Sequence, residues 1–328
     1  MNSVHRWLLK FKPYFLFIEW TKVLILPGFK PLPLYTVGLF FFKELAKESL
    51  VNKASSLAYN FLLAVFPGII FLFTLIPYIP ISDFQDQLLS LVEMVLPQNA
   101  YLAVQSTLED IIKNQNGKLL SFGFLFAVFF ATNGVHSLML AFNKSSLILE
   151  NRTWLKQRWV AIKLSFILIL ALILSLTIIT FSEYFFGILR REIGLLNPGF
   201  WIFLIEVARW LILTGLYLIT ISILYRYGPA TPKKWKFFSP GAWLATILAI
   251  LTFWGFAYYI NNFGTYNKLY GSIGTLIVMM IWMYINSLII LVGFELNASI
   301  ELSKRSIKIV KPLPQRFRKN LELKNQPK

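Results

Sequence analysis

The sequence predicts an all-α, polytopic integral membrane protein with six transmembrane helices and with its N- and C-termini cytoplasmic. Three observations lead there. Of 328 residues, 57% are hydrophobic and only 14% are charged, against about 25% charged in an ordinary soluble domain, and the mean hydropathy is +0.63. The apolar residues gather into blocks of the roughly 20 residues that a spanning helix needs. The Lys and Arg residues gather into alternate connections between those blocks.

Taken from the start of the chain, residues 1–55 form an interfacial segment. WLLKFKPYFLFIEW and LPLYTVGLFFF are apolar but short, and Lys10, Lys12, Pro13, Glu19, Lys22 and Pro27 interrupt them. Neither run is expected to span. Trp7, Tyr14, Trp20 and Tyr35 beside lysines suit a membrane interface. No uninterrupted apolar region leads to a small-residue cleavage site, so no signal peptide is expected. The membrane domain, residues 56–303, holds six apolar runs at 57–81, 119–142, 160–182, 200–225, 241–260 and 272–300. Strands are excluded because VAIKLSFILILALILSLTIITFS is apolar all round, whereas barrel strands alternate. Pro67 and Gly68 fall near the middle of the first run, where a proline removes a backbone donor and bends a helix. Residues 82–118 carry FQDQLLSLVEMVL and YLAVQSTLEDII, whose apolar residues recur every three or four positions. They predict an outer pair of amphipathic helices.

Orientation follows from charge, because positive connections stay on the cytoplasmic side. Twenty-five Lys and Arg residues lie in residues 1–56, 143–159, 226–240 and 301–328, and only five in the alternate connections. With acidic residues included, one side carries a net +19 and the other −2. The overall +17 therefore sorts the chain across a membrane and faces anionic lipid headgroups. No nucleic-acid partner is expected. The basic tail, 304–328, has no folded recognition motif and reads as a solvated, lipid-contacting end.

Ionisable residues inside a span cost about 2.5–3.5 kcal/mol each near its centre, so each one asks for a partner or a purpose. Glu206 and Arg209 sit three residues apart on one helical face. At about 1.5 Å per residue they lie roughly 9 and 14 Å below the outer start of their span. They suit either a charge in a polar path or a self-neutralising pair. Glu295 falls at the inner end of the last span, within reach of loop cations such as Arg152 or Arg158. Tyr59 and Asn60 open the first span, and Asn133, His136 and Asn143 lie toward the inner end of the second. With Glu295 and Asn297 they form a candidate polar vestibule facing the cytoplasm, or else a set of interhelical hydrogen bonds. The outer turn contributes Tyr266, Asn267, Lys268, Tyr270 and Gly271, a candidate binding lip or simply a tight aromatic turn.

Catalytic chemistry is thinly represented. The chain has no cysteine and only two histidines, His5 and His136. No HExxH, P-loop or GxSxG motif is present. No cofactor and no metal are expected, and the reading is of a protein that is not an enzyme.

Several segments carry a family resemblance: ASSLAYNFLLAVFP at 54–67, ATNGVHSLMLAFNKS at 131–145, YRYGPATPKKWKFFSPGA at 225–242 and FGTYNKLYGSIGTLIVMMIWMYINSLIILVGFELNA at 263–298. They resemble the YihY/BrkB family of bacterial inner-membrane proteins. In the last of them Tyr266, Asn267, Tyr270, Gly271, Gly274, Glu295, Leu296 and Asn297 match the family pattern; Tyr59, Asn133 and Asn143 fall in the earlier ones. The resemblance implies a six-helix protein of the bacterial cytoplasmic membrane. It also brings an old virulence label and an old ribonuclease label, and two histidines in all speak against the latter.

The leading expectation is a non-enzymatic transporter or flippase of an amphipathic, anionic solute or lipid in envelope maintenance, with Arg209 compensating its charge in transit and Glu295 as a gate. The alternative is a structural protein that binds an envelope partner or a second copy of itself and transports nothing.

Overall fold

The computed structural model describes residues 12–29, 31–46, 48–78, 84–95, 98–145, 150–192, 198–231, 235–262 and 272–310. Within them the helices are α1 (Lys12–Val23), α2 (Leu34–Leu45), α3 (Glu48–Leu75), α4 (Phe84–Val95), α5 (Gln98–Lys113), α6 (Gly117–Ser145), α7 (Trp154–Glu192), α8 (Pro198–Tyr227), α9 (Pro240–Asn262) and α10 (Ser272–Val310). No strand occurs among the described residues. The turn bearing Tyr266, Asn267, Lys268, Tyr270 and Gly271 lies outside them, as do most of the basic tail and the first eleven residues.

Six helices are long and apolar enough to cross a membrane, over Ser49–Tyr78, Gly117–Ser145, Trp154–Ser182, Phe203–Tyr227, Pro240–Ile260 and Leu276–Lys304. Helix is the conformation that satisfies every backbone group within one segment in lipid. α3 continues through Pro67 and ends in a 3-10 turn at Ile76–Tyr78. The six spans close a ring in chain order: α3 packs on α6, α6 on α7, α7 on α8, α8 on α9, α9 on α10, and α10 returns to α3.

α1 and α2, at 12 residues each, reach only about 18 Å and fall short of a span. α2 rests on α10, and Phe29, Leu32 and Val37 cluster with Ile300. Phe15, Leu16, Phe17, Trp20 and Phe42 stay exposed beside Lys22 and Lys43, as an interfacial hairpin would present them. At the other end α4 pairs with α5, and Leu89 and Ile112 bury against Ile76 of the 3-10 turn.

The main core is not spread evenly along the ring. Leu50, Ala54 and Leu57 of α3, Leu138 and Phe142 of α6, Ala161 and Leu164 of α7, Ile221, Leu224 and Tyr225 of α8, Ala242 and Ala245 of α9, and Leu291, Phe294 and Ala298 of α10 form one cluster. All lie toward the end where the strongly basic connections sit, here called the basic end. Two glycines let α9 and α10 meet there. A Cβ on Gly241 would collide with the carbonyl oxygen of Gly293, and one on Gly293 would come within 2.6 Å of the Gly241 oxygen and 2.5 Å of the Tyr225 hydroxyl.

Candidate functional site

The polar residues of the basic end are held by the same packing. Phe142 and Phe294 stack at 4.0 Å between ring centres, Tyr225 stands edge-on to both, and the Tyr225 hydroxyl donates to the Ile290 carbonyl at 2.6 Å. This aromatic cluster fixes the end of α6 against α8 and α10. Asn143, one residue beyond Phe142, is buried and fully engaged. Its Oδ1 accepts from the Ala230 amide at 2.7 Å and its Nδ2 donates to Glu150 at 2.6 Å. Glu150 takes a two-pronged grip from Arg152, at 2.7 Å from both Nε and Nη2, and Arg152 reaches on to the Gly228 carbonyl at 3.0 Å. The Arg152 side chain holds the Glu150 carboxyl below its ordinary pKa, with Asn143 adding to the effect.

Glu295 is 3% exposed, and the expected contact with Arg152 or Arg158 is not made: Glu150 and Asn133 are their partners. Glu295 instead faces α3 and the end of α6. Lys53 Nζ stands 3.5 Å from Glu295 Oε1 and donates to Ser145 Oγ at 2.8 Å, and Ser145 Oγ donates to the same carboxylate oxygen. The other carboxylate oxygen is buried without a hydrogen-bond partner among the described residues. A carboxylate this deep needs a cation, and the charge count, which treated Lys53 only as an inner-side lysine, did not reveal it. The signal was available: Lys53 lies on the same helix as Ser56 and Asn60, one turn from the first apolar run.

Asn297 bridges α10 to the start of α9. Its Oδ1 accepts from the Gly241 amide at 2.8 Å, and its Nδ2 donates to Ser239 Oγ at 2.8 Å. Asn133 and His136 turn toward α7. Arg158 donates to Asn133 at 2.6 Å, and His136 Nε2 donates to Gln157 at 2.9 Å. The structure thus joins Asn133, His136, Asn143, Glu295 and Asn297 to neighbouring elements at one end of the ring. It does not bring Tyr59 and Asn60 to them. Tyr59 is 59% exposed on a shallow groove with Tyr284, and Asn60 bonds the Ser56 carbonyl of its own helix at 2.8 Å. Glu206 and Arg209 pair with each other at 3.8 Å, away from this network on α8.

What opens at the basic end is a cavity of about 390 Å³ at the seam of α3 and α6. Lys53 and Lys144 line it together with Asn52, Ser56 and Ser137. Two ammonium groups among neutral donors can hold a phosphate or carboxylate. Among the described residues no three His, Cys, Asp or Glu side chains gather as a metal site would require.

The chain matches the family described as Virulence factor BrkB over residues 41–314. It is 34% identical over 260 residues to the ribonuclease-like protein YfkH of Bacillus subtilis, covering 77% of this chain and 91% of that protein. It is 27% identical over 266 residues to the UPF0761 membrane protein Smlt0865 of Stenotrophomonas maltophilia, and 26% over 267 residues to the UPF0761 membrane protein XCC0860 of Xanthomonas campestris. It spans 60% of the length of each of these two. No solved structure matches it. Six helices able to span a membrane and a family match that runs through all of them lead to one conclusion: the chain belongs to the BrkB family of membrane proteins.

Proposed function

We propose that this protein is a non-enzymatic carrier that takes up an anionic amphiphile on the cytoplasmic side of a bacterial inner membrane and moves it toward the other leaflet. The cavity at the α3 and α6 seam carries the reading, because it sets Lys53 and Lys144 at the end of two spanning helices where a headgroup would arrive. Lys53 is also the partner of Glu295. An anion in the cavity competes with Glu295 for that ammonium, which couples headgroup binding to the contact between α3 and α10. In this scheme the headgroup is received by Lys53 and Lys144, and Glu295 keeps the gating role. Arg209, farther along α8, compensates the charge in transit. Envelope maintenance is the process such a carrier would serve.

The test is a scrambling assay with the purified protein in liposomes carrying fluorescent anionic or zwitterionic lipids. The expected result is anionic-selective movement that falls at least fivefold in Lys144→Ala, whose side chain is exposed and free of the core. Equal movement of both lipids, or an unaffected Lys144→Ala protein, overturns the reading.

One observation favours the structural alternative. Asn133, His136, Asn143 and Asn297 are each hydrogen-bonded to another element, so each has a packing role without any substrate. Under that reading the protein stabilises an envelope partner or a second copy, and liposomes containing it move no lipid of either kind.

A further inference from the structure

A second cavity, of about 510 Å³, lies on a different face of the basic end. Its walls come from the turn between α1 and α2, the connection into α9, and the last turns of α10. It shares no lining residue with the cavity at the α3 and α6 seam. Its floor is polar and already ordered: Ser239 and Asn297, bonded to each other, cap the first amides of α9. Two lysines, Lys236 and Lys304, stand at its sides, and neither has an ion-pair partner among the described residues. Phe238 and Trp243 line it while remaining 53% and 50% exposed. Glu301 is the single acid among the described lining residues.

We infer that this cavity holds the headgroup of a resident membrane phospholipid, its phosphodiester between Lys236 and Lys304 and its chains leaving past Phe238 and Trp243. Charge and shape agree on this occupant. Among the described residues two lysines and one glutamate leave the lining at +1, which one phosphodiester monoanion neutralises. Glu301 already makes another interaction, and a carboxylate has acceptor sites to spare for a headgroup that bears donors, such as glycerol hydroxyls or an ammonium. The half-exposed aromatic rings at the start of a spanning helix belong to the level where acyl chains meet headgroups. A soluble phosphate ester would use the lysines and leave those rings uncovered. The volume falls within the range of small-molecule sites, about 300–1,000 Å³. Bound there, the lipid would join the α1 and α2 hairpin to α9 and α10, because Pro27 and Gly28 close the cavity from the hairpin side. Gly28 is specific to this fit. Its φ of +92° suits glycine, and a Cβ would lie 2.7 Å from Pro240.

The experiment uses the purified full chain in a neutral detergent, with native mass spectrometry to count bound lipid and a titration to measure affinity. The probes are phosphatidylglycerol, phosphatidylethanolamine, phosphatidylcholine and water-soluble glycerol phosphate. The expected result is one retained lipid, phosphatidylglycerol or phosphatidylethanolamine over phosphatidylcholine. The doubly substituted K236A/K304A protein should bind about thirtyfold more weakly, from the usual contribution of a lysine near a lipid surface. Gly255→Ala, on α9 and in the lining of neither cavity, should bind the resident lipid unchanged. Glycerol phosphate binding as tightly as the lipid would overturn the lipid in favour of a soluble phosphate ester. Undiminished binding by K236A/K304A would overturn the site itself. Quenching of tryptophan fluorescence by brominated phosphatidylglycerol gives an independent readout; loss of part of that quenching in Trp243→Phe is expected, and unchanged quenching counts against the placement. The carrier reading fails separately, in the scrambling assay, through Lys144.

Discussion

The two halves of the helix ring are built differently, although hydropathy makes them look alike. Toward the basic end every spanning helix contributes to one core, and buried polar groups tie the helices together. Toward the other end the same helices turn large side chains outward: Phe66 and Leu72 on α3, Phe122 and Phe126 on α6, Leu172 and Phe181 on α7, Phe203 and Leu211 on α8, and Trp254 and Tyr258 on α9 are all exposed. Lipid is as apolar as these side chains and gives helices no hydrophobic reason to associate. Close packing and hydrogen bonds must do so, and among the described residues both are concentrated at the basic end. One half is therefore a fixed clamp. The other is held by fewer buried groups among the described residues.

Glycines break this comparison most sharply. In the clamp, Gly241→Val and Gly293→Val force α9 and α10 apart, at a cost of about 3 kcal/mol or more. We expect little folded protein by fluorescence-detected size exclusion. In the open half, a Cβ on Gly68 or Gly255 meets nothing within 4 Å. Gly255→Ala should fold normally and gain up to about 1 kcal/mol from helix propensity. A Gly255→Ala protein as damaged as Gly293→Val would show that the open half is packed after all.

The next effect is the Lys53 and Glu295 pair. Removing one partner of a buried pair costs about 3–5 kcal/mol because the other is left charged in an apolar setting. Lys53→Met should lose most of its thermal stability in detergent. Adding Glu295→Leu to it should recover a large part, since an apolar pair of similar volume can replace a buried ion pair. If the double variant is no better than the single ones, the two residues are not coupled.

How much of this was legible in the sequence follows the same division. Blocks of apolar residues depend on composition, and the six spans, the two N-terminal runs too short to span and the amphipathic α4 and α5 could be placed from it. Polar residues in a span depend on rotation and neighbours, which a single sequence does not give. Asn133, His136 and Asn143 share one helical face, yet the first two bond α7 and the third bonds the connections after α6 and α8. Glu295 signalled that a cation must be near, and depth pointed to Arg152 or Arg158. Lys53 took the place because α10 closes the ring onto α3, a long-range contact that no local pattern encodes.

Asn143 and Glu150 come next in size. Asn143→Ala breaks bonds to two connections, each worth about 0.6–2 kcal/mol. It should lower the melting temperature in detergent while leaving the α3 and α6 cavity in place. The companion Glu150 gives a pH signature. Its folded pKa is depressed, mainly by Arg152. Its contribution is therefore fully present above its unfolded pKa, about 4.3, and is lost as pH falls through the lower folded value. Stability of the wild type should drop on acidification below about pH 4, and Glu150→Gln should be less stable at neutral pH with a shallower acid limb. Parallel acid limbs in the two proteins would remove Glu150 from the clamp.

Glu206 supplies the smallest effect, and it sharpens the comparison from the open side. It stands 3.8 Å from Arg209 with 52% of its side chain exposed, whereas the Arg209 side chain is only 18% exposed. A pair that long and that open contributes less than about 1 kcal/mol. Glu206→Gln should therefore fold like the wild type. If Arg209 compensates a moving anion, loss of the neighbouring carboxylate removes one competitor for its guanidinium, and anionic scrambling should rise or hold steady while zwitterionic lipid stays behind. If the pair instead locks α8, Glu206→Gln should lose stability by as much as Asn143→Ala does. The open half would then need its charges for packing.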